Sequence, residues 1–475
     1  MSEDAVFQSV LSELRDQPDR LIEIARDQGK MIEQLRAENA ALRAEIARLK
    51  KDNDDLNGRL EQVERQMFRQ AAPFRIEDNK RKAQPRKPGR AKGHPGAYRR
   101  PPEQVDETIK VPLPTCPHCG GPVERVRPVE QFIEDVPPVR PHVTRLVTYR
   151  GRCRQCGRVR SGHPLQVSTA TAAAGTHLGP NALALATELL YRYKMTRRTV
   201  SDLLHRVFGL SVTPGGLVQL GHRMAGKAKP FYDGLLHGLR HALAVHCDET
   251  SWYVGGPNAW LWVFTNRDAT VYAVRHTRGR VVVHEQLGLD FPGVLVSDCL
   301  SVYDDATTIQ HKCYAHHLKA IRQAIKQHPR GGEGFLKNMR ALLHAAMALK
   351  TARGDLPPRQ FAATRGRLER SADQLLAQAG LDPHEQSVAN RLRKQRDHLF
   401  TFLDHDAVDA TNNLAERQLR PAVISRKVSC GNRTDRGART WEILASLAAT
   451  CSQCGESFRH LIANTARLPP PQPSR

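Results

Sequence analysis

The chain has 475 residues, 40% hydrophobic and only 5% aromatic, enough for roughly two to four domains with at least one full core. Lys and Arg total 72 against 49 Asp and Glu, a formal net charge of +23, which favours a polyanionic partner, most simply nucleic acid. No stretch reaches the roughly 18 apolar residues of a membrane span, the N-terminus MSEDAVFQSV lacks the order of an export signal, and ten cysteines without such a signal argue against a disulfide scaffold.

Residues 18–70 carry a heptad pattern. Leu35, Leu42, Leu49, Leu56 and Val63 fall seven apart, and Ile32, Asn39, Ile46, Asn53 and Leu60 precede them by three. Such a seam is covered only by another helix, and Asn within it trades stability for register and a dimeric state. A coiled coil between copies is expected; a solvated helix or a hairpin is the plainer alternative. Residues 71–104 read as a flexible basic linker, because KRKAQPRKPGRAKGHPGAYRR has no acid and is broken by Pro and Gly. Arg86, Lys87 and Arg90 are its candidate phosphate contacts, a solvated hinge being the alternative.

Residues 105–170 carry Cys116-Pro-His-Cys119 and Cys153-Arg-Gln-Cys156, each pair followed by Gly. Two tight turns of two thiolates each close a tetrahedron around Zn2+, and a four-cysteine set leaves no open position, so the zinc is structural. Residues 139–149, VRPHVTRLVTY, read as a strand leading to the second turn. Residues 171–235 read as three helices, the third opening at Thr213-Pro214, an N-cap followed by Pro in the first turn. Two of them joined by GLSV resemble a DNA-binding helix-turn-helix, with an ordinary bundle as the alternative.

Residues 236–318 change period. The runs ALAVHCDETSW, AWLWVFTN, ATVYAVRH and GVLVSDCL are strand-like, with a short helix in GRVVVHEQLG, a second at SVYDDATT and a last strand in IQHKCYAHH. This order predicts a ribonuclease-H-like sheet. Residues 319–405 are helical, with spacings such as Leu336, Met339, Leu343 and Met347. Residues 406–467 are helical too, and 468–475 form a disordered tail. Cys451 and Cys454 read as packed helical cysteines, and Trp252 and Trp260 as core or hairpin packing.

Asp248 and Asp298 each end an apolar run. A charge at the end of a buried strand is costly unless it is paired or bound to a cation, and two such acids on neighbouring strands need a divalent ion between them. Two Mg2+ ions, or Mn2+ in their place, suit this chemistry when a third carboxylate completes the set. Glu416 is the candidate third ligand. Its plainer role is as the cap partner of Asn413 at a helix start. Arg417, Arg420, Arg426 and Lys427 beside it suit a phosphodiester, or form a solvated face. Glu249 points to the other face of its strand, while Asp304, Asp305, Asp404, Asp406 and Asp409 compete for the same roles.

HCDETSW around Asp248, VSDCLSVYD around Asp298, and NNLAERQLRP with Arg426-Lys427 around Glu416 resemble the insertion sequence 66 family of bacterial transposases. The leucine-zipper N-terminus, the Gly/Pro/Arg linker with GHPG and the CPHCGG module match in the same order. The resemblance implies a DNA transposase with an Asp-Asp-Glu site on a ribonuclease-H-like core interrupted by a helical insertion. Asp248, Asp298 and Glu416 then hold the catalytic ions. Cys313 and His316 match the family's Cys-x-Ala-His motif; as chemistry they are half a zinc site, and a hydrogen bond from His316 near the scissile phosphate and a structural strand cap are both open.

The expected protein is therefore a multidomain α/β chain: a coiled coil, a zinc ribbon-like module, a helical DNA-binding region and the interrupted catalytic core. It would act on double-stranded DNA, at element ends and targets, as a homo-oligomer in the bacterial cytoplasm and on the nucleoid when DNA-bound. The resemblance also implies small accessory proteins of the same element. The contrasting reading is a dimeric zinc-containing DNA-binding protein without activity, and a nuclease sharing the same site is a third.

Overall fold

The computed structural model describes residues 12, 18–68, 100–137, 139–163, 177–256, 259–304, 306–327, 334–378 and 382–468. Arg86, Lys87, Arg90, Asp305 and the tail from 469 lie outside the described residues, as does most of the expected linker. The chain divides into two units, residues 1–128 and 129–475.

In the first unit, α1 (Pro18–Phe68) is one helix of 51 residues. Its sequence is dominated by Leu, Ala, Glu, Arg, Lys and Gln, residues that lose little on entering a helix. Local pairs such as Arg48 with Glu45 at 2.7 Å add to it. Ile32, Leu35, Leu42, Ile46 and Leu49 are 50 to 57% exposed, so the apolar stripe stands uncovered along the described part of the helix. The side chains of Leu56, Leu60 and Val63 lie outside the described residues.

The second unit opens irregularly. The strand expected over 139–149 does not form; Val143 and Tyr149 are exposed, and the ladder begins only at β1 (Arg150–Cys153), which pairs antiparallel with β2 (Gly157–Arg160). Alternating apolar residues supply a strand face but no partner edge, and here the partner exists only where the chain turns back at Cys153–Cys156. Three helices follow: α2 (Pro180–Tyr191), α3 (Arg197–Phe208) and α4 (Pro214–Arg240). Thr213 caps α4 as expected, its hydroxyl accepting from the Gly216 N–H at 3.0 Å. Leu220, Met224 and Tyr232 of α4 are buried in the main core, which ties these helices to the sheet.

The sheet contains β3 (Ala244–Trp252), β4 (Ala259–Thr265), β5 (Thr270–Arg275), β6 (Val294–Ser297) and β7 (Gln310–Lys312), in the order β5-β4-β3-β6-β7. The β3, β4 and β5 strands are antiparallel neighbours, whereas β6 lies parallel to β3 and β7 parallel to β6. The crossover from β5 to β6 carries α5 (Val281–Leu287). The helix expected at SVYDDATT is instead a single 3-10 turn, Ser301–Tyr303.

Alternation along the strands divides the molecule into two cores. Val245, Cys247 and Leu295 point into the larger core, with α2, α4, α11 (Asn413–Ser429), α12 (Asp435–Cys454) and α13 (Phe458–Arg467). Ala244, Val294 and Val296 point to the other face, against a helical bundle. That bundle is α6 (Tyr314–Gln327), α7 (Phe335–Thr351), α8 (Pro358–Leu376), α9 (Pro383–Lys394) and α10 (Thr401–Asp404). It starts directly after β7, earlier than expected. Trp252 is core, its ring 4.6 Å from that of Trp441, and Trp260 carries the Arg278 guanidinium at 4.4 Å. Cys451 is buried on α12.

Candidate active site

Parallel pairing sets His246 of β3 opposite Val296 of β6. Two residues further on, each strand reaches its aspartate. Asp248 shares the parity of Ala244, on the face of the helical bundle, and sits in the middle of β3, whereas Asp298 lies just past the end of β6. Asp248 accepts from the Glu249 N–H at 2.9 Å, and Asp298 from the Leu300 N–H at 2.9 Å. Burial, then the charge of Glu249, push the Asp248 carboxyl up to about 7, and Asp298 and Glu416 add to the effect. Its ordinary value is 3.8, so the charges gathered here lack compensation.

Glu416 rides on α11, and the way that helix begins decides what this carboxylate is for. The N-cap is Asn412, not Asn413, and its side chain caps nothing. Instead the Asn412 Nδ2 donates to the Cys247 carbonyl at 2.7 Å, and its Oδ1 lies 3.1 Å from His246 Nδ1. Asn412 is buried and ties the start of α11 to β3, so the cap-partner explanation of Glu416 does not hold. Farther along α11, Arg426 Nη1 donates to Thr250 Oγ1 at 3.2 Å, to Ser251 Oγ at 2.8 Å and to the Ser251 carbonyl. Arg426, expected on DNA, is thus spent holding α11 to β3. The following turn is stitched on as well: Asn432 N–H donates to the Tyr253 carbonyl at 2.8 Å. Gly431 there has φ +80°, and a Cβ on it would meet the Tyr253 carbonyl at 2.5 Å.

Arg417 and Arg420 are exposed and Lys427 is half-buried. Arg417 lines a cavity of about 330 Å³ with Arg192, Lys194, Tyr272 and Trp441. The competing acids are engaged elsewhere. Glu249 pairs with Arg278 at 2.6 Å and accepts from Tyr303; Asp304 pairs with Lys394 at 2.7 Å. Asp404 pairs with Arg365 at 2.8 Å, Asp406 with Arg353 at 3.0 Å, and Asp409 with Arg267 at 3.7 Å.

Among the described residues, the one group of three metal-ligating side chains whose ligand atoms lie within 4.8 Å of one another is Cys313, His316 and Glu416. The Cys-x-x-His half-site therefore has a partner that the sequence separates from it. Asn412, which sequence reasoning passed over, is again the link, its N–H donating to Cys313 Sγ at 3.1 Å.

Each cysteine pair forms the same turn in its own unit. Backbone N–H groups of His118 and Cys119 hold the Cys116 thiol below its usual range, and those of Cys156 and Gln155 do the same for Cys153. A glycine in the left-handed region closes each turn, Gly120 at φ 73° and Gly157 at φ 79°. Backbone N–H groups aimed at a sulfur favour its thiolate form; among the described residues the four cysteines do not form a group with ligand atoms within 4.8 Å of one another.

These features define an α/β protein in which Asp248 within β3, Asp298 just past β6 and Glu416 on α11 lie close enough for the last two to raise the Asp248 carboxyl; among the described residues these three acids do not form a group with ligand atoms within 4.8 Å of one another. The chain belongs to the transposase IS66 family, whose family model matches residues 175–440. It is also similar to uncharacterized proteins of Sinorhizobium fredii (strain NBRC 101917 / NGR234). Protein y4qI is 22% identical over 406 residues, 74% of this chain and 70% of the relative. Protein y4jD is 24% identical over 392 residues, 74% of each chain. Protein y4jO is 25% identical over 178 residues, 37% of this chain and 54% of the relative. Among the described residues no helix is long and apolar enough to cross a membrane.

Proposed function

We propose that the chain is a DNA transposase that binds the ends of its element and catalyses divalent-metal-dependent strand cleavage and strand transfer. The observation that carries this reading, beside family membership, is the electrostatics of Asp248. Burial and the like charges of Glu249, Asp298 and Glu416 hold this carboxyl up to about 7, and a divalent cation beside it would offset them. The oxygen donors of Asp248, Asp298 and Glu416 fit Mg2+ or Mn2+, which take carboxylates together with phosphate oxygens.

Ions held by these three residues would supply Lewis acidity for attack of water, and later of a 3′-hydroxyl, on a phosphodiester. The chain's own part is positioning. β3 would present Asp248 and the turn after β6 would present Asp298, while Asn412 and Arg426, which tie α11 to β3, would keep Glu416 near them. Arg417 and Arg420, exposed on the same helix, would meet phosphates. The sheet order β5-β4-β3-β6-β7, with its first three strands antiparallel, supports a ribonuclease-H-like core, and the bundle from α6 to α10 supports a helical insertion.

The remaining segments follow this reading. Residues 105–170 would bind a structural Zn2+ through Cys116, Cys119, Cys153 and Cys156, and the 171–235 helices would help recognise the ends. The stripe on α1 would pair two copies, bringing two ends together, and Arg86, Lys87 and Arg90 would track phosphates. Small proteins encoded beside the element would act as accessories. The test is joining of pre-cleaved DNA from the flanks of the source gene to a plasmid in Mg2+ or Mn2+. Joining is expected from the wild type and lost in Asp248→Asn. DNA binding without joining under either ion, with those accessory proteins present, would instead support an inactive DNA-binding protein.

A further inference from the structure

We infer that Cys313, His316 and Glu416 form a second, softer metal site that takes Zn2+ and shares Glu416 with the carboxylate site. Three observations converge on it. The ligand atoms already lie within 4.8 Å of one another, and ligands of a tetrahedral zinc sit roughly 3.5 Å apart, so small side-chain movements close the site. His316 Nδ1 is buried and has no hydrogen-bond partner; an ion bound through that nitrogen gives it one. The three residues are also held in a common frame. Cys313 follows β7, its N–H donating to the Ser297 carbonyl at 2.9 Å, and His316 lies three residues later in the first turn of α6, its N–H donating to the Cys313 carbonyl at 3.2 Å. Asn412 links Cys313 Sγ to the start of α11, at 3.1 Å.

The donor set decides the ion. A thiolate, an imidazole and a carboxylate suit zinc, whereas Mg2+ prefers an all-oxygen octahedron. Three protein ligands leave a fourth position open to water or a phosphate oxygen. Glu416 cannot serve both ions in full, so zinc bound here draws the carboxylate away from the hard-ion site and opposes Mg2+-dependent joining. This consequence rests on the reading of Glu416 given above; the zinc site itself does not.

The test is the zinc content of the full-length protein after dialysis into zinc-buffered solution, wild type beside His316→Ala and Cys313→Ser. Each variant should hold about one zinc ion per chain fewer than the wild type, with an unchanged circular dichroism spectrum. Co2+ titration of the same proteins should show a thiolate charge-transfer band in the wild type that Cys313→Ser diminishes. If a variant fails to fold, Glu416→Gln on the half-exposed helix surface provides the same comparison. Equal zinc content in the wild type and the folded variants would overturn the inference. Because zinc is counted without DNA, a protein that joins DNA but shows equal zinc refutes this site alone. Zinc loss in a protein that joins nothing refutes only the transposase reading.

Discussion

Replacing Asp248 by Asn should stabilise this protein while abolishing its chemistry. The unfolded chain releases the Asp248 proton near 3.8, whereas burial and then Glu249, Asp298 and Glu416 hold it in the folded protein up to about 7. The folded state therefore binds the extra proton between those values, and stability falls as the pH rises through that window. That separation of about three in pKa, at about 1.36 kcal/mol for each, bounds the deficit above pH 7 at about 4 kcal/mol. Asn is neutral and nearly the same shape, and its Oδ1 keeps the Glu249 N–H bond. Urea denaturation at pH 8 without added divalent cation should show Asp248→Asn more stable than the wild type by about 1–4 kcal/mol. At pH 4 the advantage should disappear. Added Mg2+ should stabilise the wild type and leave the variant nearly unmoved. A variant no more stable than the wild type at pH 8 would refute the claim that uncompensated charge gathers at Asp248.

Other positions give independent checks. Asn412→Ala leaves the Cys247 carbonyl and His246 without their partner in a buried setting and should cost about 2–4 kcal/mol by chemical denaturation. The joining rate should fall with it, because the start of α11 is released. Gly431→Ala, at φ +80° with its Cβ driven onto the Tyr253 carbonyl, should destabilise by more than about 1 kcal/mol; an unchanged melting temperature would show that the turn after α11 does not need this approach. Leu35→Lys with Leu42→Lys places charge on the exposed stripe of α1 and should shift the protein to a smaller species in analytical ultracentrifugation, with little change in circular dichroism.

The core strands were legible because their chemistry is local. AWLWVFT of β4 is buried except at half-buried Trp260, and Asp248 and Asp298 interrupt apolar runs, a signal that needs no tertiary knowledge, although β3 continues four residues past Asp248 instead of ending there. Composition and motif order likewise carried the family. What failed depended on partners. Residues 139–149 have strand-like alternation but no edge to pair with, and the run after Asp298 has polar residues suited to a helix yet closes as one 3-10 turn. Asn412 and Asn413 are equivalent on paper; the buried carbonyl of Cys247 chooses Asn412 and removes the capping role from Glu416. Arg426 reads as a phosphate ligand until β3 claims its guanidinium. Cys313 and His316 show half a site, because the other half arrives on a helix that only the fold brings beside them.

The most direct test of the central claim is Mg2+- or Mn2+-dependent joining of element-end DNA by the wild type beside Glu416→Gln. Gln preserves the shape of Glu416 and the attachments of α11 through Asn412 and Arg426, while removing the charge an ion needs. Joining is expected from the wild type alone, with both proteins binding end DNA equally. Joining by both proteins at the same rate would contradict it, and would remove Glu416 from the catalytic site.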